Sequence, residues 1–189
     1  MIIIRDGTFS VPFYYGDLTM KLELKNIQYS KFASQETACY EAKLYVDGKP
    51  LALVGNQGHG GCDYQYSLND QNIDDKLKDI NKYLSTLPKM KSKFHYGDGE
   101  MTTHEFTVDL ELWCGEELNK WINSKKLKRI LKKGSMILDS DGDLFYWKHF
   151  IPSDTIRKHH PKSIVLNDLP FEKALDVFMN KDPDVFCNE

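Results

Sequence analysis

The chain has 189 residues, which is the length of a single domain. Hydrophobic residues make up 41% of the sequence, enough for a packed core, so disorder is excluded for most of the chain. The formal net charge of -3 argues against attraction of the whole protein to nucleic acid or to an anionic membrane, although it allows a local basic patch.

The cysteines and the apolar segments indicate the compartment. No two cysteines form a C-x-x-C pair, no signal peptide is visible, and no apolar stretch approaches the roughly 20 residues of a membrane span. We therefore expect a cytoplasmic protein with reduced thiols, no membrane association and no cofactor. The four cysteines are Cys39, Cys62, Cys114 and Cys187.

The first third of the chain is predicted to consist of strands. Residues 1–19 are predicted to be an N-terminal extension that can fold as a hairpin around Asp6-Gly7. Alternation of polar and apolar residues predicts the strands that follow, and Asp47-Gly48 favours a tight hairpin turn between two of them. The predicted strands are residues 20–27, 39–46 and 51–54.

The middle of the chain is predicted to hold a helix, a loop and a strand. Asn72 is predicted to cap a helix whose apolar residues recur every three or four positions, and Pro88 ends it. The polar residues 89–103 are predicted to be a loop. Residues 106–112 alternate strictly, which predicts a central strand with Phe106, Val108, Leu110 and Leu112 buried on one face.

The last third is predicted to be mainly helical. Residues 116–133 are predicted to form a helix in two pieces, closed by Gly134 in the left-handed conformation. The remaining predicted elements are a hairpin with its turn at residues 139–143, a short helix from Ser153, a strand over residues 163–166, a helix from Asn167 or Asp168 to Met179, and a tail over residues 181–189.

This order of strands and helices is neither a regular βαβ alternation nor an all-β pattern. It predicts one α+β domain over residues 20–180, in which three to four helices pack on a mostly antiparallel sheet.

A glycine-rich loop at residues 55–63 is the strongest candidate for a functional site. Four of the twelve glycines fall in its first seven residues. Glycines permit positive φ and leave N–H groups uncovered, and such groups can hold an anion or the backbone of a partner. The alternative is a wide connection between a strand and the first helix. The residues predicted to bind a ligand or partner are Asn56, Gly58, His59, Gly60, Gly61 and Asp63.

The same loop is where an enzyme would have its site. An enzyme acting on a nucleotide or another phosphate compound would use His59 as acid or base, with Cys62 or Glu36 nearby. Because no second pair of ligands at zinc spacing accompanies His59 and Cys62, no metal site is predicted. No catalytic residue is assigned, since no paired constellation stands out, and a non-enzymatic function is favoured.

Residues 139–143 (DSDGD) resemble the beginning of a calcium-binding loop. An EF-hand would need a glutamate at the twelfth position of the loop, where this chain has Phe150. A hairpin turn is favoured, because an Asp-Gly pair supplies the turn geometry without a metal.

The second helix is strongly basic, with seven lysines and arginines between residues 120 and 133. One interpretation is a surface that contacts the phosphates of nucleic acid. The alternative, which the acidic net charge favours, is a solvated amphipathic helix whose lysines complement its C-terminal dipole. The residues that would bind nucleic acid are Lys125, Lys126, Lys128, Arg129 and Lys132.

Four segments of the chain carry a resemblance to known sequences. Residues 31–37 (KFASQET), 45–49 (YVDGK) and 58–61 (GHGG) resemble parts of small uncharacterised proteins of bacteriophages and integrated mobile elements, and residues 167–175 (NDLPFEKAL) resemble their closing helix. No activity is assigned to such proteins. The resemblance implies a small accessory protein, and accessory proteins of this kind often inhibit host defence by binding. We therefore expect a phage or mobile-element binding protein, an inhibitor of a bacterial defence system whose partner is a host protein or a nucleotide.

Overall fold

The computed structural model describes residues 20–69, 72–96 and 100–181. Within these ranges the chain forms four α-helices and nine strands, and every strand pairing is antiparallel. The predicted α+β class is confirmed. The chain divides into two compact units, with the boundary between Leu118 and Asn119. We call residues 20–118 the N-terminal unit and residues 119–181 the C-terminal unit.

Two predictions on the ends of the chain lie beyond these ranges. The hairpin within residues 1–19 and all but the first residue of the tail at 181–189 fall outside the described residues. The single domain over residues 20–180 stays a prediction.

A four-stranded sheet forms the larger part of the N-terminal unit, in the order β1-β2-β3-β4. The predicted turn between β2 and β3 is confirmed: Asp47 and Gly48 both have positive φ, of 49° and 77°, as the twist of a two-residue hairpin requires. The strands are β1 Leu22–Ser30, β2 Cys39–Val46, β3 Lys49–Asn56 and β4 Tyr64–Ser67.

One face of this sheet is buried, and at the end nearest the glycine-rich loop this face carries two polar side chains, Tyr40 and Asn56. Alternate residues on β2 and β3 face each other in register and are buried, namely Tyr40, Ala42 and Leu44 against Asn56, Val54 and Ala52. Because side chains alternate along a strand, the periodicity that buries Val54 also buries Asn56. A buried amide therefore stands where the glycine-rich loop leaves the sheet.

In the rest of the N-terminal unit, the predicted first helix is present and the loop predicted after it is wrong. Residues 89–103, predicted as a loop, lie largely in a hairpin of β5 Met90–Tyr96 and β6 Glu100–Phe106, whereas α1 Asp74–Leu84 is found where a helix was predicted. The hairpin is polar, and polarity alone suggested a loop. Residues 97–99 lie outside the described residues.

The strand predicted over residues 106–112 is wrong, because β6 ends at Phe106 and a helix, α2, covers Leu110–Lys133 without a break. The N–H of Leu110 donates to Asn81 Oδ1 and that of Leu112 donates to Asp109 Oδ1, both at 2.8 Å, so the first turn of the helix is capped. Phe106 is 40% exposed. The residues buried at helical spacing are Leu110, Cys114 and Leu118.

The C-terminal unit is a three-stranded sheet, in the order β8-β7-β9, with helices on it. One cluster of buried side chains joins Leu127 of α2 and Met136 of β7 to Phe178, and a second joins Ile137 of β7 to Ile156. The sheet is therefore covered on both faces. Its elements are β7 Ser135–Leu138, β8 Leu144–Trp147, α3 Ser153–His159, β9 Ile164–Val165, a 3-10 turn Leu166–Asp168 and α4 Phe171–Met179.

The aspartate-rich segment at residues 139–143 is the predicted hairpin turn. The Asp139 carboxylate accepts from the N–H groups of Asp141 and Asp143, at 3.0 and 2.8 Å, and Gly142 has φ 88°. The first carboxylate of the run therefore serves the turn itself.

None of the helices among the described residues is both long enough and apolar enough to cross a membrane.

Candidate functional site

Two loops lie together at one end of the four-stranded sheet. Residues 31–38 connect β1 to β2, and residues 57–63 connect β3 to β4. The N–H groups of Gln35 and Glu36 both donate to the carbonyl oxygen of Gly58, at 2.9 and 3.0 Å. We call residues 31–38 and 57–63 the two-loop surface, since these hydrogen bonds join the loops into one structure.

The glycines of the loop have the predicted backbone conformation. Gly58, Gly60 and Gly61 have φ of 87°, 87° and 84°, a region that other residues rarely adopt. A Cβ at position 58 would overlap the carbonyl oxygen of Ala33, and one at position 60 would lie 2.5 Å from Glu36 Oε2. Glycine at these two positions therefore also lets the two loops approach each other.

The side chain of Asn56 holds the loop in this shape. Its Oδ1 accepts from the Gly58 N–H at 2.9 Å and from the Thr37 hydroxyl at 2.5 Å. Its Nδ2 donates to the Gly61 carbonyl at 3.1 Å and to Asp63 Oδ1 at 3.0 Å. The amide is 5% exposed and uses both donors and both acceptor sites. Asn56 was predicted to contact a ligand, but its side-chain donors and acceptor oxygen already form hydrogen bonds within the protein.

Asp63 closes the loop from the other end. Its Oδ2 accepts a hydrogen bond from the Tyr40 hydroxyl, while its Oδ1 accepts from Asn56. Burial raises the pKa of Tyr40 well above its usual range, and the nearby Cys114 and Asp63 add to this effect, so the hydroxyl keeps its proton and donates. Tyr40 and Thr37 were not predicted from the sequence. The register that pairs Tyr40 with Asn56 would have indicated the first of them.

Two of the predicted free N–H groups are used inside the protein. The Gly58 N–H donates to Asn56, and the Gly60 N–H donates to the Thr37 hydroxyl at 3.3 Å. They hold the loop together and do not converge on an anion.

His59 is exposed, and its ring is partnered by an amide. Its Nδ1 lies 3.3 Å from Gln35 Oε1, and a neutral amide does not activate an imidazole as a carboxylate would. The Glu36 carboxylate lies instead against Gly60. Over residues 20–69, 72–96 and 100–181, no group of three or more His, Cys, Asp or Glu side chains could hold a metal ion.

Three cysteines lie near this network, and Cys62 and Cys114 differ most in accessibility. Cys62 is exposed, whereas Cys114 is 1% exposed. Burial, followed by the charge of Asp63, raises the pKa of the Cys114 thiol to about 12. Cys114 is therefore a protonated core thiol at neutral pH.

We expect alkylation to separate these thiols. At pH 8 a thiol of pKa about 12 is ionised in about one molecule in ten thousand, and Cys114 is also shielded, so iodoacetamide should label Cys62 rapidly and Cys114 only after unfolding. Mass spectrometry of the labelled peptides measures both rates in one sample. Equal rates in the folded protein would contradict the burial of Cys114.

Phe32 was not predicted as a site residue, and it is the most exposed large hydrophobic side chain among the described residues, at 99%. The turn that carries it is anchored on both sides. Ser30 Oγ accepts from the Ala33 N–H at 3.3 Å, and the Ser34 hydroxyl donates to the Ser30 carbonyl at 2.7 Å and accepts from the Cys39 N–H at 2.8 Å. The ring is therefore held in solvent by a hydrogen-bonded turn.

The basic residues of the second site lie in the C-terminal half of α2. Lys126 is half-buried, with its ammonium 5.7 Å from the ring centre of Phe178. Arg157 of α3, another basic residue of the same unit, pairs with Asp168 at 2.5 Å. The remaining predicted residues, Lys125, Lys128, Arg129 and Lys132, are exposed.

Comparison of the chain with models of protein families, with curated proteins and with solved structures finds no match.

Proposed function

We propose that the protein is a non-enzymatic binding protein that contacts a partner protein through the two-loop surface, with Phe32 as the anchor. The exposure of Phe32 is the observation that carries this proposal. An aromatic ring is costly to leave in water, and a side chain of this type buries 150–250 Å² when it enters a pocket. Aromatic residues that fill a partner's pocket are typical binding hot spots.

The loops below the ring support a binding role because they are ordered in advance. Asn56, Asp63 and Thr37 hold the backbone of the glycine-rich loop, and that backbone in turn holds Gln35 and Glu36. A loop that is fixed before binding loses less conformational entropy on binding. A plain connection between β3 and β4 would need neither a buried amide nor three residues with positive φ.

The surroundings of Phe32 indicate the chemistry of the partner. The other exposed residues of the two-loop surface are polar or small, and none is a second large apolar side chain, which matches an interface with an apolar centre and a polar rim. The internal bonds of the Gly58 and Gly60 amides favour a protein over a nucleotide as the partner. The resemblance to phage and mobile-element proteins supports a bacterial host protein as partner and inhibition of host defence as the outcome.

Phe32→Ala tests the proposal. If Phe32 fills a pocket, the variant should lose about 2 kcal/mol of binding free energy, roughly a 30-fold weaker affinity, because its main apolar contact is gone. Its free energy of unfolding should change by less than about 0.5 kcal/mol, since the ring contacts solvent only. Each variant is immobilised, proteins captured from a bacterial lysate are quantified, and the affinity of the recovered partner is then measured by titration.

Phe150→Ala is the matched control, because Phe150 is a 63% exposed phenylalanine of the C-terminal unit. Partners of the two-loop surface should be retained by this control and lost by Phe32→Ala. Equal capture by both variants and the unaltered protein, or no reproducible capture by any, would refute the proposal.

A further inference from the structure

Charge is segregated between the two units of the chain. Residues 119–181 hold thirteen lysines and arginines and seven aspartates and glutamates, a formal charge of +6. Residues 20–118 hold eleven and sixteen, a formal charge of -5. Residues 182–189 add three acidic residues and no basic one, so residues 119–189 together carry a formal charge of +3. The net charge of -3 for the whole chain therefore conceals a basic half, and charge asymmetry between halves is typical of proteins that bind nucleic acid or anionic membranes.

The positive charge on α2 is concentrated on one exposed patch. Lys125, Lys128, Arg129 and Lys132 stand at the spacing i, i+3, i+4 and i+7, which places them side by side on a helix. All four are exposed, while the opposite side of the helix is buried through Leu127. At 1.5 Å per residue the patch is about 10 Å long, enough to follow about three nucleotides of one strand at 3.4 Å each.

Two of these cations lie over aromatic rings. The ammonium of Lys125 lies 4.3 Å from the ring centre of Trp121, and that of Lys128 lies 4.7 Å from the ring centre of Phe171. Among the described residues, no carboxylate forms an ion pair with any member of the patch. A ring positions an ammonium without neutralising its charge, so the potential of the patch remains available to an anionic partner.

We infer that the patch formed by Lys125, Lys128, Arg129 and Lys132 binds the phosphate backbone of nucleic acid. A membrane is disfavoured, because a helix that lies on lipid turns its apolar face outward, whereas Leu127 and Ile130 of α2 are buried. An acidic protein surface is disfavoured, because lysine is depleted in protein–protein interfaces, while nucleic-acid interfaces are much more positively charged. The patch shares no residue with the two-loop surface, so the inference does not depend on the function proposed for that surface.

The inference is tested by the salt dependence of binding to labelled single-stranded and duplex DNA. Four phosphate contacts predict a slope of log K against log salt of about -2.8 for single strands and about -3.6 for duplex, so affinity should fall roughly 50- to 150-fold between 50 and 200 mM salt. The variant Lys125→Gln/Lys128→Gln/Arg129→Gln/Lys132→Gln should bind at least about 10-fold more weakly at 50 mM salt, with a slope close to zero. Fluorescence anisotropy measures both quantities.

The control variant Lys49→Gln/Lys76→Gln/Lys78→Gln/Lys82→Gln removes the same charge from exposed positions of the N-terminal unit. Its slope should equal that of the unaltered protein. The double variant Arg129→Gln/Lys132→Gln keeps both aromatic contacts intact and should lower the magnitude of the slope by about 1.5 to 2. It provides a second test if the fourfold variant does not fold.

Three results would overturn the inference. They are an unaltered protein that does not bind DNA at 50 mM salt, a control variant that loses as much affinity as the patch variant, and displacement of DNA by polyglutamate or by anionic phospholipid vesicles as efficiently as by unlabelled DNA. The first excludes the site, the second indicates attraction by total charge, and the third assigns the patch to polyanions in general or to a membrane.

Discussion

Replacing Asn56 with alanine should lower the free energy of unfolding by about 3 kcal/mol and disorder the glycine-rich loop. The substitution removes four hydrogen bonds at once, to Gly58, Thr37, Gly61 and Asp63. Each buried group left without a partner costs about 1–3 kcal/mol, and hydration of the opened loop recovers part of the sum. Urea denaturation measures the loss, and amide hydrogen exchange at Gly58 should accelerate in the same variant.

Asn123→Ala is the matched control. Asn123 is also 5% exposed, but its Nδ2 bonds only to the carbonyl and side-chain oxygens of Asn119, one turn earlier in α2. Alanine is also the better helix former, so this variant should lose less than about 1 kcal/mol and leave Gly58 exchange unchanged. Equal losses in the two variants would mean that Asn56 is an ordinary buried amide and that the loop keeps its shape without it.

Gly134→Ala should also cost about 3 kcal/mol, for a steric reason. A Cβ at position 134 would overlap the carbonyl oxygen of Trp147, a backbone atom that moves only if β8 shifts away from β7. The same glycine accepts a hydrogen bond from Asn167 Nδ2 at 3.0 Å through its own carbonyl. The extra methyl group therefore strains the pairing at the start of the C-terminal sheet, and thermal or urea denaturation detects it.

Gly115→Ala separates this effect from a general cost of replacing glycine. Gly115 lies in α2, is exposed, and would place its new methyl group in open space. Its replacement should stabilise the protein by up to about 1 kcal/mol, because alanine is favoured in helices. A Gly134→Ala variant that is as stable as Gly115→Ala would show that β8 can move without cost.

Where the sequence predicted the fold well, the signal was local. Asp47-Gly48 and the run from Asp139 to Asp143 form their turns with their own backbone and side chains, so no distant residue was needed to identify the hairpins. The prediction for residues 106–112 failed because four alternating residues fit the start of a helix as well as a strand. The helix is favoured because Asp109 and Asn81 accept hydrogen bonds from the N–H groups of its first turn, and Asn81 lies 29 residues from its partner Leu110.

The sequence predicted where the candidate site lies, but it did not predict which side chains hold the loop in shape or which side chain is proposed to contact a partner. Composition indicated only that the loop could adopt positive φ, and three of its four glycines, Gly58, Gly60 and Gly61, do so. The role of Asn56 depends on the register between β2 and β3, which pairs it with Tyr40. Phe32 carries no periodic signal, because its exposure results from a turn fastened by Ser30 and Ser34. Gly134 was expected to be left-handed, but its small size serves a close approach of two backbones.

The most direct test of the central claim, that Phe32 contacts a partner protein, is photocrosslinking from that position. A photoreactive phenylalanine analogue is placed at position 32 and, in a second sample, at position 150, and each protein is illuminated in bacterial lysate. A discrete adduct from position 32 that is missing from position 150 is the predicted result, because only the first ring should enter a partner's pocket. Adducts from position 150 alone, or none from position 32 in a lysate from which the unaltered protein captures a partner, would contradict the account.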